Sequence, residues 1–163
     1  SADQLAEALE IAELEGLGRY EVVQNSFSLL DRGDHETVLP VCREHGVAYE
    51  PFGPLAGGWL SGKYTRDSAP PEGSRMTQRP EPYERYRTEA VWRALDVLRD
   101  KAGDLGVRMS SLALAWLLHL PEVTAVVIGP NRVEHMDDVD QALSIRLSDP
   151  ERAEIQEVFE WES

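Results

Sequence analysis

The chain has 163 residues, 42% of them hydrophobic, and thirty acidic against sixteen basic side chains give a formal net charge of −14 at pH 7. Charge of this sign repels the phosphate backbone that supplies most non-specific affinity for nucleic acid, so nucleic acid is not expected as a partner. No apolar run approaches the ~18 to 20 residues of a membrane span, and no secretory signal pattern opens the sequence. We therefore expect a soluble, cytoplasmic protein without membrane contact.

Runs of helical spacing alternate with short β-branched runs along the chain. In chain order they predict a helix over 3–15, a strand over 20–25, a helix over 34–45, a strand over 47–52, helices over 87–105 and from 110, a strand over 124–129, and helices over 133–143 and from 148. Asp3, Ser110 and Ser148 are the predicted N-caps, because their side-chain oxygens can accept from the first helical turn. Strands separated by helices run parallel, so this order predicts an α/β fold.

Several conspicuous side chains are assigned to packing rather than to chemistry. Cys42 has no second cysteine to pair with, so we expect a buried structural thiol, and Tyr20 and Tyr49 are expected in the core. The four histidines show no metal-ligand spacing, and no metal site is predicted. Trp59 lies in a glycine-rich loop and is the tryptophan with a candidate ligand role. Packing roles are expected for Trp92, Trp116 and Trp161.

The segment 53–86 is rich in glycine, proline and charge. A connection of this length inside a compact domain is usually functional or mobile. Tyr83 and Tyr86 within it are candidates for contact with a substrate.

Groups suited to ligand contact follow each predicted strand, and in α/β barrels these strand ends build the active site. Gln24 carries both a donor and an acceptor, which matches a carboxamide. Phe52 offers a flat face to a heteroaromatic ring. The loop 53–64 combines small residues, which allow close approach to the backbone, with the cation of Lys63, as a pyrophosphate site requires.

The string Gly53-Pro-Leu-Ala-Gly-Gly-Trp-Leu-Ser-Gly-Lys-Tyr64 resembles the Tyr-Ser-Pro-Leu-Ala-Gly-Gly-Leu-Leu-Thr-Gly-Lys-Tyr loop of the aldo-keto reductases. The opening helix and the segments 23–32, 71–75, 114–117 and 127–129 follow in that family's order. The resemblance covers residues 1–163 and implies the C-terminal part of a (β/α)8 TIM barrel, with about its last three strands. Because a complete barrel takes roughly 250 residues, we expect this chain to be incomplete.

The resemblance also implies a cofactor site. It assigns Gln24 to the carboxamide of the nicotinamide and Phe52 to its ring. Along the pyrophosphate it implies Gly53, Pro54, Leu55, Ala56 and Gly57. It implies Lys63 and Arg75 as basic residues that clasp the cofactor. At the adenosine end it implies Gly129, Asn131, Arg132, His135 and Asp138. Arg132 is either the partner of the 2′-phosphate that separates NADP from NAD or a solvated arginine at a helix start.

The implied function is an NADP(H)-dependent oxidoreductase that reduces a small-molecule carbonyl compound to an alcohol. The family's catalytic aspartate, tyrosine, lysine and histidine come from the first half of its barrel, so no catalytic residue is assigned here and the isolated chain is expected to be inactive. One alternative is a non-catalytic, dinucleotide-binding regulatory subunit, as the family's potassium-channel β subunits are. Another is a truncated pseudo-domain that binds no ligand and is either marginally folded or dependent on self-association to cover its open sheet edges. The missing N-terminal half is the other candidate partner.

Overall fold

The computed structural model describes residues 1–160, so the packing role expected for Trp161 and the last residues of the 1–163 region lie outside the described residues. The helices are α1 Ala2–Leu14, α2 Val38–His45, α3 Arg75–Gln78, α4 Glu89–Asp104, α5 Met109–Leu118, α6 His135–Ser144 and α7 Asp149–Glu157, the strands are β1 Val22–Val23 and β2 Ala48–Tyr49, and short 3-10 helices span Ala56–Ser61 and Glu84–Tyr86. No helix within 1–160 is both long and apolar enough to cross a membrane.

The two strands pair in parallel, with Val22 opposite Ala48 and Val23 opposite Tyr49. The pairing continues beyond the strands, because the N–H of Phe52 donates to the carbonyl of Asn25 at 2.9 Å. The connection between β1 and β2 contains α2, as the alternation of strands and helices predicted. The α/β class is therefore confirmed, while the partial barrel stays a prediction.

The predicted strand over 124–129 forms isolated bridges rather than a continuous strand in the described chain. The N–H groups of Thr124 and Val127 donate to the carbonyls of Tyr49 and Pro51, each at 2.9 Å. Parallel bridges join Tyr49 to Val123 and Phe52 to Val127. The segment 123–127 therefore lies beside β2, on the side opposite β1.

The helix ends show which caps the sequence predicts correctly. Ser148 caps α7 in a reciprocal capping box with Glu151, as expected, whereas Ser1 rather than Asp3 caps α1. The cap predicted at Ser110 is wrong, because α5 begins one residue earlier, with Arg108 in the N-cap position. Ser110 lies in the first turn of α5 and donates its hydroxyl to a neighbouring helix.

The apolar helix α5 packs under the sheet. Its residues from Met109 to Leu117 are all buried, as expected for a helix without a polar face. Trp116 of α5 stacks on Phe27 with ring centroids 6.0 Å apart, and Phe27 meets Tyr49 edge to face at 5.9 Å. These contacts place the core on one face of the sheet.

Side chains on a strand alternate between its two faces, and burial follows that alternation here. Asn25, Phe27 and Tyr49 point toward the helices, whereas Gln24 and Phe52 stay exposed on the opposite face. The expectation of a core Tyr49 is therefore confirmed. That face, formed by Gln24, Ser26, Glu50 and Phe52, is called the site face below.

Two other packing predictions have opposite outcomes. Cys42 is buried in α2, as expected, and burial raises the pKa of its thiol. Tyr20 is 61% exposed, so its prediction as a core residue is wrong. It precedes β1 at the outer edge of the sheet, where no strand within residues 1–160 pairs with β1 on that side.

Candidate functional site

The site face presents an amide beside an aromatic ring. Gln24 follows β1 and lies opposite Glu50, which follows β2, and its Nε2 donates to a carboxylate oxygen of Glu50 at 2.9 Å. Phe52 is 46% exposed and is bridged to Ser26 on one side and to Val127 on the other. An exposed ring at the carboxyl edge of a parallel sheet is available to a ligand rather than to the core.

The chain turns directly after Phe52 into the glycine loop, defined here as residues 53–62. Gly53, Gly57 and Gly58 have φ values of 68°, 66° and 96°, which glycine tolerates without strain. Ala56 has φ 47° and is the one non-glycine residue with positive φ among residues 1–160. Such a conformation costs about 1–3 kcal/mol, and strain of this kind clusters at ligand-binding sites.

Two glycines of this loop also allow close packing on their backbone. A Cβ atom on Gly58 would overlap the end of the Lys63 side chain, and one on Gly57 would overlap the ring of Tyr83. The ammonium of Lys63 is therefore held against the loop, 5.2 Å from the ring centre of Tyr64. Among the residues predicted along a pyrophosphate, Gly53 is exposed, Leu55 and Gly57 are partly exposed, and the side chains of Pro54 and Ala56 are buried.

Tyr64 fastens the glycine loop to the next part of the chain. Its hydroxyl donates to the carbonyl of Gly57 at 3.2 Å and accepts from the N–H of Met76 at 3.4 Å. Met76 follows Arg75, the first residue of α3, and Arg75 is itself exposed. The loop and one of its predicted basic clasps are thus linked through a buried tyrosine.

The ligand role predicted for Trp59 is wrong. Its indole is 1% exposed and packs against the rings of Tyr64, Tyr86 and Trp92, at centroid distances of 5.3, 5.8 and 4.9 Å. The aromatic cluster excludes Trp59 and Tyr86 from the surface, so Tyr86 is also removed as a substrate contact. Tyr83 is the partly exposed tyrosine of the segment 53–86.

A polar link that the sequence did not predict joins this segment to the site face. Arg85 contacts a carboxylate oxygen of Asp31 at 3.1 Å, and the same oxygen accepts from the hydroxyl of Ser26 at 2.7 Å. Arg85 also donates to the hydroxyl of Tyr86 at 2.9 Å. The signal in the sequence was slight: an aspartate in a short turn after a strand, and one arginine among many charged residues.

On the helix side, a second carboxylate holds the strand ends. One oxygen of Asp34 accepts from the hydroxyl of Tyr49 and from the amide of Asn25, each at 2.7 Å. Burial, followed by this hydrogen bond, raises the pKa of Tyr49 far above its ordinary value. Asp34 therefore links the two strand ends that carry Gln24 and Phe52, from the helix side of the sheet.

The residues predicted for the adenosine end lie in the turn between the segment 123–127 and α6 and in the first part of α6. Gly129, Asn131, Arg132 and His135 are exposed, and His135 begins α6. Asp138 is different, because its carboxylate accepts from Arg108 at 2.5 Å and from Ser110 at 2.7 Å. Asp138 therefore binds two side chains at the start of α5, where the helix dipole favours an anion, and its ribose contact stays a prediction.

Three of the predicted basic residues are free of carboxylates. Lys63, Arg75 and Arg132 have no carboxylate oxygen within 4.0 Å in the part of the chain that the structure describes, whereas Arg66 and Arg108 each contact two acidic residues. Arg79, Arg93 and Arg146 also lack a carboxylate partner within 1–160, so the absence of a partner does not by itself mark a phosphate site. Lys63, Arg75 and Arg132 are available to phosphate, and their positions near the glycine loop and before α6 distinguish them. No group of three His, Cys, Asp or Glu side chains within 1–160 is arranged to hold a metal ion.

The model of the aldo/keto reductase family matches residues 1–160. The chain belongs to this family of oxidoreductases. The resemblance carried by the glycine loop is thereby confirmed for the whole described chain.

Three curated relatives of this aldo/keto reductase chain differ in their named functions. It is 28% identical over 162 residues to the NADH-specific methylglyoxal reductase of Escherichia coli, covering 98% of this chain and 46% of that protein. It is 36% identical over 138 residues to an Escherichia coli L-glyceraldehyde 3-phosphate reductase, covering 81% and 39%. It is 31% identical over 153 residues to a probable voltage-gated potassium channel subunit beta of Arabidopsis thaliana, covering 89% and 45%. The chain spans less than half the length of each.

Proposed function

We propose that this chain is the cofactor-binding portion of an aldo/keto reductase that reduces a carbonyl compound to an alcohol with NADPH. The observation that carries the proposal is the grouping, at the carboxyl edge of one parallel sheet, of an exposed aromatic ring, an amide and a strained glycine loop with an unpaired lysine. These are the groups that a nicotinamide, its carboxamide and a pyrophosphate require.

The residues divide the binding of the dinucleotide among them. Phe52 stacks on the nicotinamide ring and Gln24 binds its carboxamide. The loop from Gly53 to Gly57 lies along the pyrophosphate, with Lys63 and Arg75 as its cations. When bound, the cofactor supplies the hydride, and this chain's residues orient the ring and shield it from water.

The proposal includes a preference for NADPH over NADH. Arg132 is exposed, lies just before α6 and has no carboxylate partner within 1–160, which suits the 2′-phosphate of NADPH. The Escherichia coli relative is named as NADH-specific, so family membership alone does not select the cofactor. The side chains for proton transfer are proposed to lie in a part of the parent protein outside this chain.

Titration of the purified chain with NADPH and with NADH, monitored by tryptophan fluorescence, tests the proposal. Trp59 packs against Tyr64, which contacts the glycine loop, and Trp92 packs against Trp59, so ligand binding is expected to quench their fluorescence. We expect saturable binding that favours NADPH. In Arg132→Gln the Kd for NADPH should rise about tenfold while that for NADH stays the same.

Arg93→Gln, at an exposed position on α4, is the matched control for loss of one positive charge. An equal effect of both substitutions would show that only the overall charge matters and would remove Arg132 from the site. No saturable quenching by either nucleotide from a chain that melts cooperatively would contradict the proposed function.

A regulatory, non-catalytic role is the second candidate, and the similarity to the probable channel subunit beta of Arabidopsis thaliana favours it. It predicts NADPH binding without turnover in the complete parent protein, measured with a panel of aldehydes and ketones by NADPH absorbance. Turnover of any of them with loss of NADPH would exclude this candidate.

A further inference from the structure

The hydrogen bond between Gln24 and Glu50 determines which end of the amide faces outward. A carboxylate is acceptor-only at neutral pH, so Glu50 can be satisfied by the Nε2 of Gln24 and not by its Oε1. The 2.9 Å contact therefore directs Nε2 toward Glu50 and Oε1 away from it. A free glutamine would present either end, because its amide flips at little cost.

The backbone of the sheet places the two side chains opposite each other. Val22 and Ala48 are paired in register, so Gln24 and Glu50 are directly opposite each other on the same face. The N–H of Glu50 donates to the carbonyl of Val23 at 2.9 Å, which fixes the backbone beneath its side chain. Neither side chain has another hydrogen bond or ion pair with residues 1–160.

Phe52 lies two residues after Glu50 and therefore on the same face of the sheet. A ring that stacks on Phe52 carries its substituent toward the neighbouring positions of that face. The side chain that contacts this substituent is then Gln24, whose amide is oriented with the acceptor Oε1 facing outward.

We propose that Glu50 is a positioning residue that makes this site select a ring bearing a carboxamide, by holding Gln24 with its Oε1 as the acceptor. This inference rests on the proposed function, because it concerns the same nicotinamide site. A carboxamide offers an N–H to that oxygen. An acetyl group of the same shape offers only an acceptor and leaves the oxygen of Gln24 without a donor.

The test compares three ligands by calorimetry on the 163-residue chain. They are NADP⁺, its 3-acetylpyridine analogue, and 2′-phospho-ADP-ribose, which lacks the ring. The unsubstituted chain should bind NADP⁺ about tenfold more tightly than the acetyl analogue, as expected for one hydrogen bond. In Glu50→Gln the preference should fall to about twofold, because a neutral amide can hold Gln24 in either orientation.

Three controls separate positioning from other effects. The Kd of 2′-phospho-ADP-ribose should be unchanged in Glu50→Gln, and Glu50→Asp, which keeps an acceptor-only group, should retain most of the preference. Glu44→Gln removes the same charge from an exposed position on α2 and should leave all three affinities as they are. Thermal melting checks that each variant is folded.

The outcomes distinguish this inference from the proposed function. If NADP⁺ and 2′-phospho-ADP-ribose bind, but the preference for NADP⁺ over the acetyl analogue is the same before and after Glu50→Gln, the role of Glu50 alone is overturned. Equal affinity for NADP⁺ and the acetyl analogue in the unsubstituted chain would also overturn it. Failure of both ligands to bind the folded chain overturns the proposed function, and the role of Glu50 with it.

Discussion

Gly58 combines a backbone conformation and a close contact that no other residue type can provide. Its φ of 96° is outside the range of L-residues, and a Cβ atom would displace the ammonium end of Lys63. We expect Gly58→Ala to lower the free energy of unfolding by about 1–2 kcal/mol, through backbone strain, and to raise the Kd for NADPH about tenfold, through the displaced cation. Urea unfolding and fluorescence titration measure the two effects.

Gly33→Ala is the matched control, because a Cβ atom at Gly33 meets open space and the residue has an ordinary φ. Both quantities should stay near those of the unsubstituted chain. An unchanged NADPH affinity in Gly58→Ala would contradict the role of Lys63 at the loop.

The buried hydroxyl of Tyr49 should make the free energy of unfolding depend on pH in the alkaline range. Burial raises its pKa in the folded chain, so above the ordinary tyrosine pKa of ~10 the unfolded chain loses this proton while the folded chain keeps it. The stability contributed by the neutral hydroxyl is thus complete below about pH 10 and declines as pH rises from there toward the folded pKa, by about 1.4 kcal/mol per pH unit.

Tyr49→Phe removes this proton and with it the hydrogen bond to Asp34. At pH 7 we expect a loss of about 1.5 kcal/mol in the free energy of unfolding, and above pH 10 a shrinking difference from the unsubstituted chain. Denaturant unfolding at closely spaced pH values measures both. Parallel stability curves above pH 10 would mean that Tyr49 titrates normally in the folded chain.

At the scale of elements, the segment 53–86 is more ordered than its composition indicates. Its length and composition predict a functional or mobile connection, yet it contains α3 and two short 3-10 helices, and Tyr64, Met76 and Tyr86 are buried within it. The sequence pattern does not show this order, because the contacts run to distant residues such as Trp92 and Asp31. Regular periodicity predicts local helices, whereas this segment is held by single long-range contacts.

The same distinction explains the other elements. The helices α4 and α7 follow from apolar spacing and capping residues, which are local signals. The strand predicted over 124–129 has the expected composition, but its pairing depends on a neighbour that sequence alone does not position. In the site, the glycine loop and Phe52 could be predicted because they belong to one continuous string, while Glu50, Asp31 and Arg85 became visible only through their contacts.

The link from Arg85 to Asp31 gives a prediction about this segment. Both groups are partly exposed, so the ion pair contributes only about 0.2–1 kcal/mol to global stability. Arg85→Ala should therefore leave the melting temperature nearly unchanged while it speeds hydrogen exchange in peptides covering 79–87. Arg99→Ala, which breaks an ion pair on α4, is the control. Equal exchange of those peptides in the two variants would show that the link does not hold the segment.

At the scale of the whole molecule, the chain has two incompatible tendencies. Val22 is 46% exposed on β1, which lacks a partner strand on its outer side within residues 1–160, and an open apolar edge favours pairing with another chain. The net charge of −14 opposes that pairing through mutual repulsion. Which tendency prevails depends on the ionic strength, since salt screens the repulsion and leaves the apolar edge unaffected.

We therefore expect reversible self-association that strengthens with salt. Sedimentation velocity should show mostly monomer at about 0.01 M salt, where charges interact over ~30 Å, and a concentration-dependent dimer at about 0.15 M, where the range is ~8 Å. Val22→Lys places a charge on the open edge and should keep the chain monomeric in both. Val97→Lys, at another exposed valine on α4, should behave like the unsubstituted chain. Dimerisation of Val22→Lys at the higher salt would mean that the chains associate through a surface other than β1.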